Sequence, residues 1–198
     1  MVAHLTGLAK RSTVRTIGLL LLACLTACSP SRGLQPDESV VQAAVIDSLF
    51  VRDMTRQVVV GDSTVREATS VVDSDYAHAI QWLAPLPLGL RSDFERKRKL
   101  TERVDRLATR VPMQRFTNAD RASGSRQYDA FWSAFFHRYP GSPGRIEVSR
   151  VGFGRDGTAA LVHVEYACGG LCGGTIYVLL AKRSGKWHVV RTAQPRMS

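Results

Sequence analysis

The strongest constraint on the fold is a change in hydrophobic period at Arg145. From there to the C-terminus apolar and polar residues alternate, as is typical of β-strands. Asp156-Gly157 and Ser184-Gly185 have the composition of two-residue hairpin turns. The pattern predicts an antiparallel meander of four strands: Ile146–Phe153, Ala159–Tyr166, Thr175–Lys182 and Trp187–Thr192. The turns place Phe153 opposite Ala160, and Ala181 opposite His188.

The residues before Arg145 have helical spacing instead, with apolar residues three and four positions apart. The four predicted helices begin near Asp37, Ser74, Ser92 and Gly124. Ser92 and Glu95 have the spacing of a capping box, and the helix behind them is predicted to end at Pro112. The prediction is therefore an α+β fold, with the N-terminal and central helices packed on one face of the four-stranded meander. Val58–Val60 is expected to add an edge strand, whereas residues 112–123 fit neither period.

The first 27 residues have the organisation of a secretory signal peptide. Three basic residues precede an apolar run, Ile17–Ala27, of 11 residues. This run is shorter than the roughly 18 residues that a membrane-spanning helix needs. The expected division is a signal peptide at 1–27, a tether at 28–36 and a single α+β domain at 37–198.

The end of the apolar run resembles the lipobox of bacterial lipoproteins, with the motif Leu25-Thr26-Ala27-Cys28. The resemblance implies that Cys28 is lipidated and becomes the first residue of the mature chain. Cys24 ends a rival match, but Cys28 is favoured because the polar segment starts directly after it. By the sorting rule of such lipoproteins in bacteria with two membranes, Ser29 rather than Asp after the cysteine implies the outer membrane, with the domain facing the periplasm. The alternative is a plain secretory signal.

Two cysteines, Cys168 and Cys172, remain in the predicted domain, inside a glycine-rich loop. An even number of cysteines in an exported chain favours a disulfide. A dithiol redox site is the weaker alternative, since such sites have Cys-x-x-Cys at a helix start. A zinc site would need further Cys or His ligands near the loop.

Two histidines are the candidates for acid–base chemistry. Strand alternation places His163 and Glu165 on one face of the sheet, opposite Val162 and Val164. His188 lies in the last predicted strand. A role in the sheet without chemistry is the expectation for both, and the sequence assigns no catalytic residue, metal ligand or cofactor.

The segment Gly61-Asp62-Ser63 is similar to the nucleophile turn of SGNH hydrolases. Asp75 and His78 have the spacing of that family's Asp-x-x-His pair, although the family has the pair near its C-terminus. No Gly-x-Asn-Asp block is present to complete an oxyanion site. The expected role of Ser63 is therefore that of a turn residue.

The chain carries a formal charge of +10, and Arg91–Arg110 contains eight basic and four acidic residues. As a helix this segment would form pairs four residues apart, such as Glu95–Lys99 and Glu102–Arg106. A solvated face is the first interpretation, and contact with anionic lipid or lipopolysaccharide is the second. Nucleic acid is not an expected partner of an exported chain, and no protein partner can be named.

Several C-terminal segments together resemble an uncharacterised group of bacterial exported lipoproteins. The matching segments are Phe131–Gly144, Ser149–Phe153, the loop Cys168–Gly173 and the closing hairpin Tyr177–Val190. The closing hairpin also resembles, more loosely, the end of NTF2-like domains. The group has no assigned activity, so the resemblance implies only an exported envelope lipoprotein. We expect such a domain to serve in binding or scaffolding without catalysis. The alternative is an NTF2-like ligand pocket or hydrolase using His163 or His188.

Overall fold

The computed structural model describes residues 36–66, 70–122 and 128–197, all within one compact unit. The helices are α1 (Pro36–Leu49), α2 (Ser70–Leu83), α3 (Leu90–Lys97), α4 (Asn118–Ala122) and α5 (Tyr128–Arg138). The strands are β1 (Val58–Gly61), β2 (Met113–Phe116), β3 (Arg145–Val148), β4 (Gly152–Phe153), β5 (Ala159–Gly169), β6 (Cys172–Arg183) and β7 (Lys186–Met197). The predicted signal peptide and the lipidation site Cys28 lie outside the described residues.

The strands form one mixed sheet in the order β2-β1-β3-β5-β6-β7, and β4 pairs with β5 next to β3. β1 runs parallel to β2 and β3, while the other pairs are antiparallel. The α+β class is therefore confirmed, but the four-stranded meander is extended to seven strands. Val58–Val60 is a strand, as predicted, yet it lies inside the sheet because β2 pairs with its outer side.

Both predicted hairpin registers are confirmed, with Phe153 opposite Ala160 and Ala181 opposite His188. The first predicted strand, however, is interrupted between β3 and β4. The Ser149 N–H donates to the His163 carbonyl at 2.8 Å, and the Ser149 hydroxyl accepts from the His163 N–H at 3.0 Å. The Ser149 side chain thus takes the place of a backbone hydrogen-bond partner between the two strands. The chain bends there and pairs with β5 again at Gly152.

Helices cover both faces of the sheet, which corrects the expectation of one covered face. Alternate strand residues such as Val162 pack with α1 in one apolar cluster. Their neighbours, such as Leu161, pack with α2 and α3 in a second cluster. On the same side as α2, the aromatic residues of α5 cluster with Val59 and Phe116. The strands are apolar on both sides because helices lie on both faces.

The predicted helix up to Pro112 is wrong, since α3 ends at Lys97 and the residues after it are not helical. Val104 is still buried, but its N–H donates to the Asp62 carbonyl at 2.8 Å. Helix α3 begins after Gly89, a residue with the left-handed backbone conformation, and no side chain caps this end of the helix. The segment Arg91–Arg110 is therefore only partly helical. Within the described residues no helix is long and apolar enough to cross a membrane.

The expected pairs Glu95–Lys99 and Glu102–Arg106 depended on that longer helix. In the structure Glu95 pairs with Arg91 one turn earlier, at 2.8 Å. Glu102 pairs with Arg150, far away in sequence, at 3.3 Å. Long-range packing thus replaces the local pairing that helical spacing predicts.

Candidate functional site

A polar cleft opens on the face of the sheet that carries α2 and α5. It has a volume of about 310 Å³, at the small end of the range typical of ligand sites. We call it the sheet cleft, and its lining residues are Arg145, Glu147, Glu165, Tyr166, Ala167, Gly174, Thr175 and Arg196. Most of them come from the ends of β3, β5, β6 and β7.

A row of directly opposed residues forms the floor of the sheet cleft. Glu147 of β3 is opposite Glu165 of β5, Glu165 is opposite Thr175 of β6, and Thr175 is opposite Arg196 of β7. Neighbouring strands lie about 4.8 Å apart, so the row crosses the sheet in closely spaced steps. Two glutamates in direct opposition repel each other unless cations lie nearby.

Arginines stand at both ends of this row. Arg145 Nε lies 3.5 Å from Glu147 Oε1, and the guanidinium lies over the Phe116 ring, 5.4 Å from its centroid. At the other end, Arg196 Nη2 donates to Thr175 Oγ1 at 3.1 Å, and its Nε lies 3.4 Å from Asp75 Oδ2. Asp75 belongs to α2, so the helix helps to hold this wall of the sheet cleft.

His163 lies beside the floor of the sheet cleft, two residues before Glu165 on β5. As predicted, it shares a face with Glu165, whose Oε1 is 3.9 Å from His163 Nε2. The imidazole is fully buried and stacks on Tyr177, with ring centroids 4.7 Å apart. Of the two, Glu165 is the residue that lines the sheet cleft.

His188 lies apart from this site. It is exposed and sits opposite Ala181, near the far end of the β6–β7 hairpin. Ala181 is six positions after Thr175 on β6, which corresponds to about 20 Å along the strand. The fold therefore does not bring the two candidate histidines together.

The disulfide between Cys168 and Cys172 is present, as predicted, at the tip of the β5–β6 hairpin. Ala167 and Gly174, which flank the tip, line the sheet cleft. Gly144 passes close to this hairpin, with a φ of +122°. A Cβ there would meet the Ala167 carbonyl oxygen at 2.3 Å, so the close approach requires glycine.

The residues of the hydrolase-like motif are dispersed. Ser63 follows β1, where its hydroxyl donates to Asp62 Oδ1 at 3.4 Å and its backbone bridges to Arg103. Asp75 instead contacts Arg196 on β7, four strands away in the sheet order. His78 stacks on Trp82. The fold therefore does not assemble Ser63 and this pair into a triad.

Sequence reasoning missed four residues of the sheet cleft: Arg145, Glu147, Thr175 and Arg196. Alternation alone places the first two on one face of a strand, but their neighbours depend on the register across four strands. In the described part of the chain, no three His, Cys, Asp or Glu side chains are placed to hold a metal ion. Comparison with known proteins finds no matching family model, curated protein or solved structure.

Proposed function

We propose that the chain is an exported bacterial lipoprotein, anchored through Cys28 in the outer membrane and facing the periplasm, whose domain is a non-catalytic binding module. The sheet cleft is its binding site. The anchor rests on the lipobox-like motif at Leu25–Cys28, and the disulfide agrees with an oxidising compartment. The resemblance to exported lipoproteins points the same way.

The observation that carries the binding function is the row of charged and polar side chains across four strands. Their positions are set by the sheet and by neighbours such as Asp75, so the site is organised before any ligand enters. A concave site with a few convergent polar groups is the usual form of a ligand site. Such preorganisation lowers the entropic cost of binding.

Binding is favoured over catalysis by the position of His163. Its imidazole is fully buried against Tyr177, so a molecule in the sheet cleft contacts Glu165 first. General acid–base catalysis requires the group to lie within hydrogen-bonding distance of the reacting atoms. Helices on both faces of the sheet also depart from the cone-shaped pocket of NTF2-like domains.

We also propose that α3 contacts anionic lipid. Lys97 Nζ lies 3.5 Å from Glu38 Oε1, so α3 packs beside the first turn of α1. That turn follows Cys28 by about ten residues, a span of at most ~35 Å when extended. The exposed Arg91 and Arg96 of α3 thus lie within reach of a bilayer that holds the lipid.

The anchor is tested by Cys28→Ala. The variant should leave the membrane fraction, because acylation of Cys28 supplies the hydrophobic attachment. Cys24→Ala is the matched control and should stay with the membrane. Unchanged detergent partitioning of the Cys28 variant would refute the anchor.

The lipid contact is tested with the full-length Cys28→Ala chain and phosphatidylglycerol vesicles. Binding should fade between low and moderate salt as the charges are screened. The double substitution Arg91→Gln and Arg96→Gln should weaken it, while Arg183→Gln at the end of β6 should not. Salt-independent binding, or equal binding to phosphatidylcholine vesicles, counts against the electrostatic contact.

The binding site is tested by thermal unfolding of the full chain with a panel of small polar solutes: acetate, ethylamine, phosphate, glucose and L-alanyl-L-alanine. At least one should raise the unfolding temperature, since a ligand of the native state stabilises it. Ala167→Leu, which fills the sheet cleft, should abolish the rise, and Ala130→Leu on the exposed side of α5 should not. A panel without any such effect contradicts the proposed binding function.

A further inference from the structure

The sheet cleft holds opposite charges that are not paired with each other. Glu165 has a side chain 36% exposed, and within the described ranges it forms no ion pair with a lysine or arginine; its Oε1 lies 3.9 Å from His163 Nε2. Arg145 uses Nε toward Glu147, and in the same ranges its two terminal nitrogens have no hydrogen-bond partner. The site thus offers an unused carboxylate acceptor and unused guanidinium donors.

The register explains why these two residues do not pair. Glu147 is opposite Glu165, so Arg145, two residues earlier on the same face of β3, is a diagonal neighbour of Glu165. Diagonal neighbours have Cα atoms roughly 7–8 Å apart. The Arg145 side chain reaches the other way, over the Phe116 ring of β2. The two charges are therefore separated by a gap over the floor of the sheet cleft.

A ligand that bridges this gap needs a positive and a negative group. An ammonium group can donate to Glu165, and a carboxylate can accept from the terminal nitrogens of Arg145, which suit its planar shape. Arg196 is less available, because Asp75 and Thr175 already occupy two of its nitrogens. A purely anionic ligand would leave Glu147 and Glu165 repelling it, and a purely cationic one would face two arginines.

We infer that the sheet cleft binds a small zwitterion, a molecule with an ammonium and a carboxylate group, the class that includes amino acids and short peptides. Its ammonium contacts Glu165 and its carboxylate contacts Arg145. This inference rests on the proposed binding function and specifies its ligand class. It makes Glu165 and Arg145 the residues that determine specificity.

The test is isothermal titration calorimetry of the full chain in detergent micelles with L-alanyl-L-alanine. N-acetyl-L-alanyl-L-alanine lacks the ammonium, and L-alanyl-L-alaninamide lacks the carboxylate. Each blocked ligand should bind about tenfold or more weakly, the usual loss for one charge-assisted hydrogen bond. Since these comparisons use the unmodified protein, they do not depend on the folding of any variant.

The variants assign each group to its partner. Glu165→Gln should weaken the dipeptide about tenfold but leave the N-acetylated ligand unchanged, because the removed contact was already absent. Arg145→Gln should also weaken the dipeptide about tenfold, but it should leave the binding of L-alanyl-L-alaninamide unchanged, because that ligand lacks the carboxylate. Glu95→Gln and Arg183→Gln, which lie outside the sheet cleft, should have no effect on any of the three ligands.

Two results would overturn the inference: no binding of the dipeptide, or equal affinity for all three ligands. Either is distinct from failure of the proposed function. If acetate, phosphate or another solute of the panel still stabilises the protein and Ala167→Leu abolishes the effect, the sheet cleft binds a ligand of another class. Only an inactive panel contradicts the binding function itself.

Discussion

At the scale of single residues, a buried ion-pair network joins α1 to the bend between β3 and β4. Glu38 is fully buried, and both of its carboxylate oxygens accept from Arg150, at 2.8 and 3.2 Å. Lys97 lies 3.5 Å from the same carboxylate. Donating these hydrogen bonds to Glu38 raises the pKa of the Arg150 guanidinium. Burying these charges costs desolvation free energy, so the intact network adds little net stability. Removing one member leaves an uncompensated buried charge, which should strongly destabilise the fold.

Glu38→Gln should lower the free energy of unfolding by about 3–5 kcal/mol, because Arg150 and Lys97 lose a buried counter-charge. Urea denaturation of the purified chain measures this. Arg91→Gln, which breaks an exposed pair, should change it by less than about 1 kcal/mol. Similar effects for the two variants would contradict the importance of the network.

Asp93 should make stability depend on acidic pH. Burial by itself raises its pKa, but the hydrogen bond from the Phe153 N–H and the Lys97 ammonium outweigh burial, so the pKa lies below its usual value. The resulting stabilisation is complete above the unfolded-state pKa of about 3.9 and is lost as pH falls through the folded-state pKa. Asp93→Asn should therefore be less stable at pH 7, and the difference from wild type should shrink on acidification. A gap that is independent of pH in urea titrations would contradict this.

At the scale of elements, α3 lies directly against β4. A Cβ at Gly152 would lie 2.5 Å from Phe94 Cβ and 2.8 Å from its backbone nitrogen, so the helix approaches the strand too closely for any side chain. This contact sets the position of α3, and with it the position of Lys97 beside α1.

Gly152→Ala should destabilise the fold by about 1–3 kcal/mol, the usual cost of overpacking. Gly154→Ala is a close control, since its Cβ would have only ordinary contacts at 3.4 Å or more. Thermal unfolding of both variants decides the matter. An equal change in the two would mean that α3 moves away without cost.

The disulfide acts on one hairpin. In the chain-entropy model, closing so short a loop contributes only about 2 kcal/mol. The double substitution Cys168→Ser and Cys172→Ser should lower the free energy of unfolding, measured by urea denaturation, by about 2 kcal/mol. The far-ultraviolet circular dichroism should stay unchanged. Complete unfolding of the variant, or thiols that react with maleimide in the unreduced wild type, would contradict this role.

At the scale of the whole molecule, β5 and β6 are long interior strands of one sheet with helices on both sides. β5 pairs with β3, β4 and β6, and most of its residues are buried. The chain between α3 and β2 is irregular and mostly exposed beyond Leu107. The protein therefore combines a regular sheet with an irregular surface segment, which is attached to α1 through Arg110 and Asp47.

Amide hydrogen exchange should show this contrast. β5 and β6 should exchange slowest, at rates set by global unfolding, whereas residues 108–112 should exchange by local opening. Mass spectrometry of the full chain measures both regions together. Equal protection of the two would indicate that the segment is part of the cooperative core.

Features that depend on neighbouring residues could be predicted from the sequence. The two hairpin registers follow from turn chemistry and alternation, and the disulfide follows from two cysteines in a short glycine-rich loop of a chain that is predicted to be exported. Features that depend on distant residues could not. β1 pairs in parallel with β2 and β3, which are remote in sequence, and such pairing has no turn to mark it. The helical spacing after Lys97 predicts a helix that does not form, because the Val104 N–H donates to the carbonyl of Asp62, just after β1. The sheet cleft has the same origin: Glu147, Glu165, Thr175 and Arg196 become neighbours only when four strands align, because cross-strand register is a property of the assembled sheet.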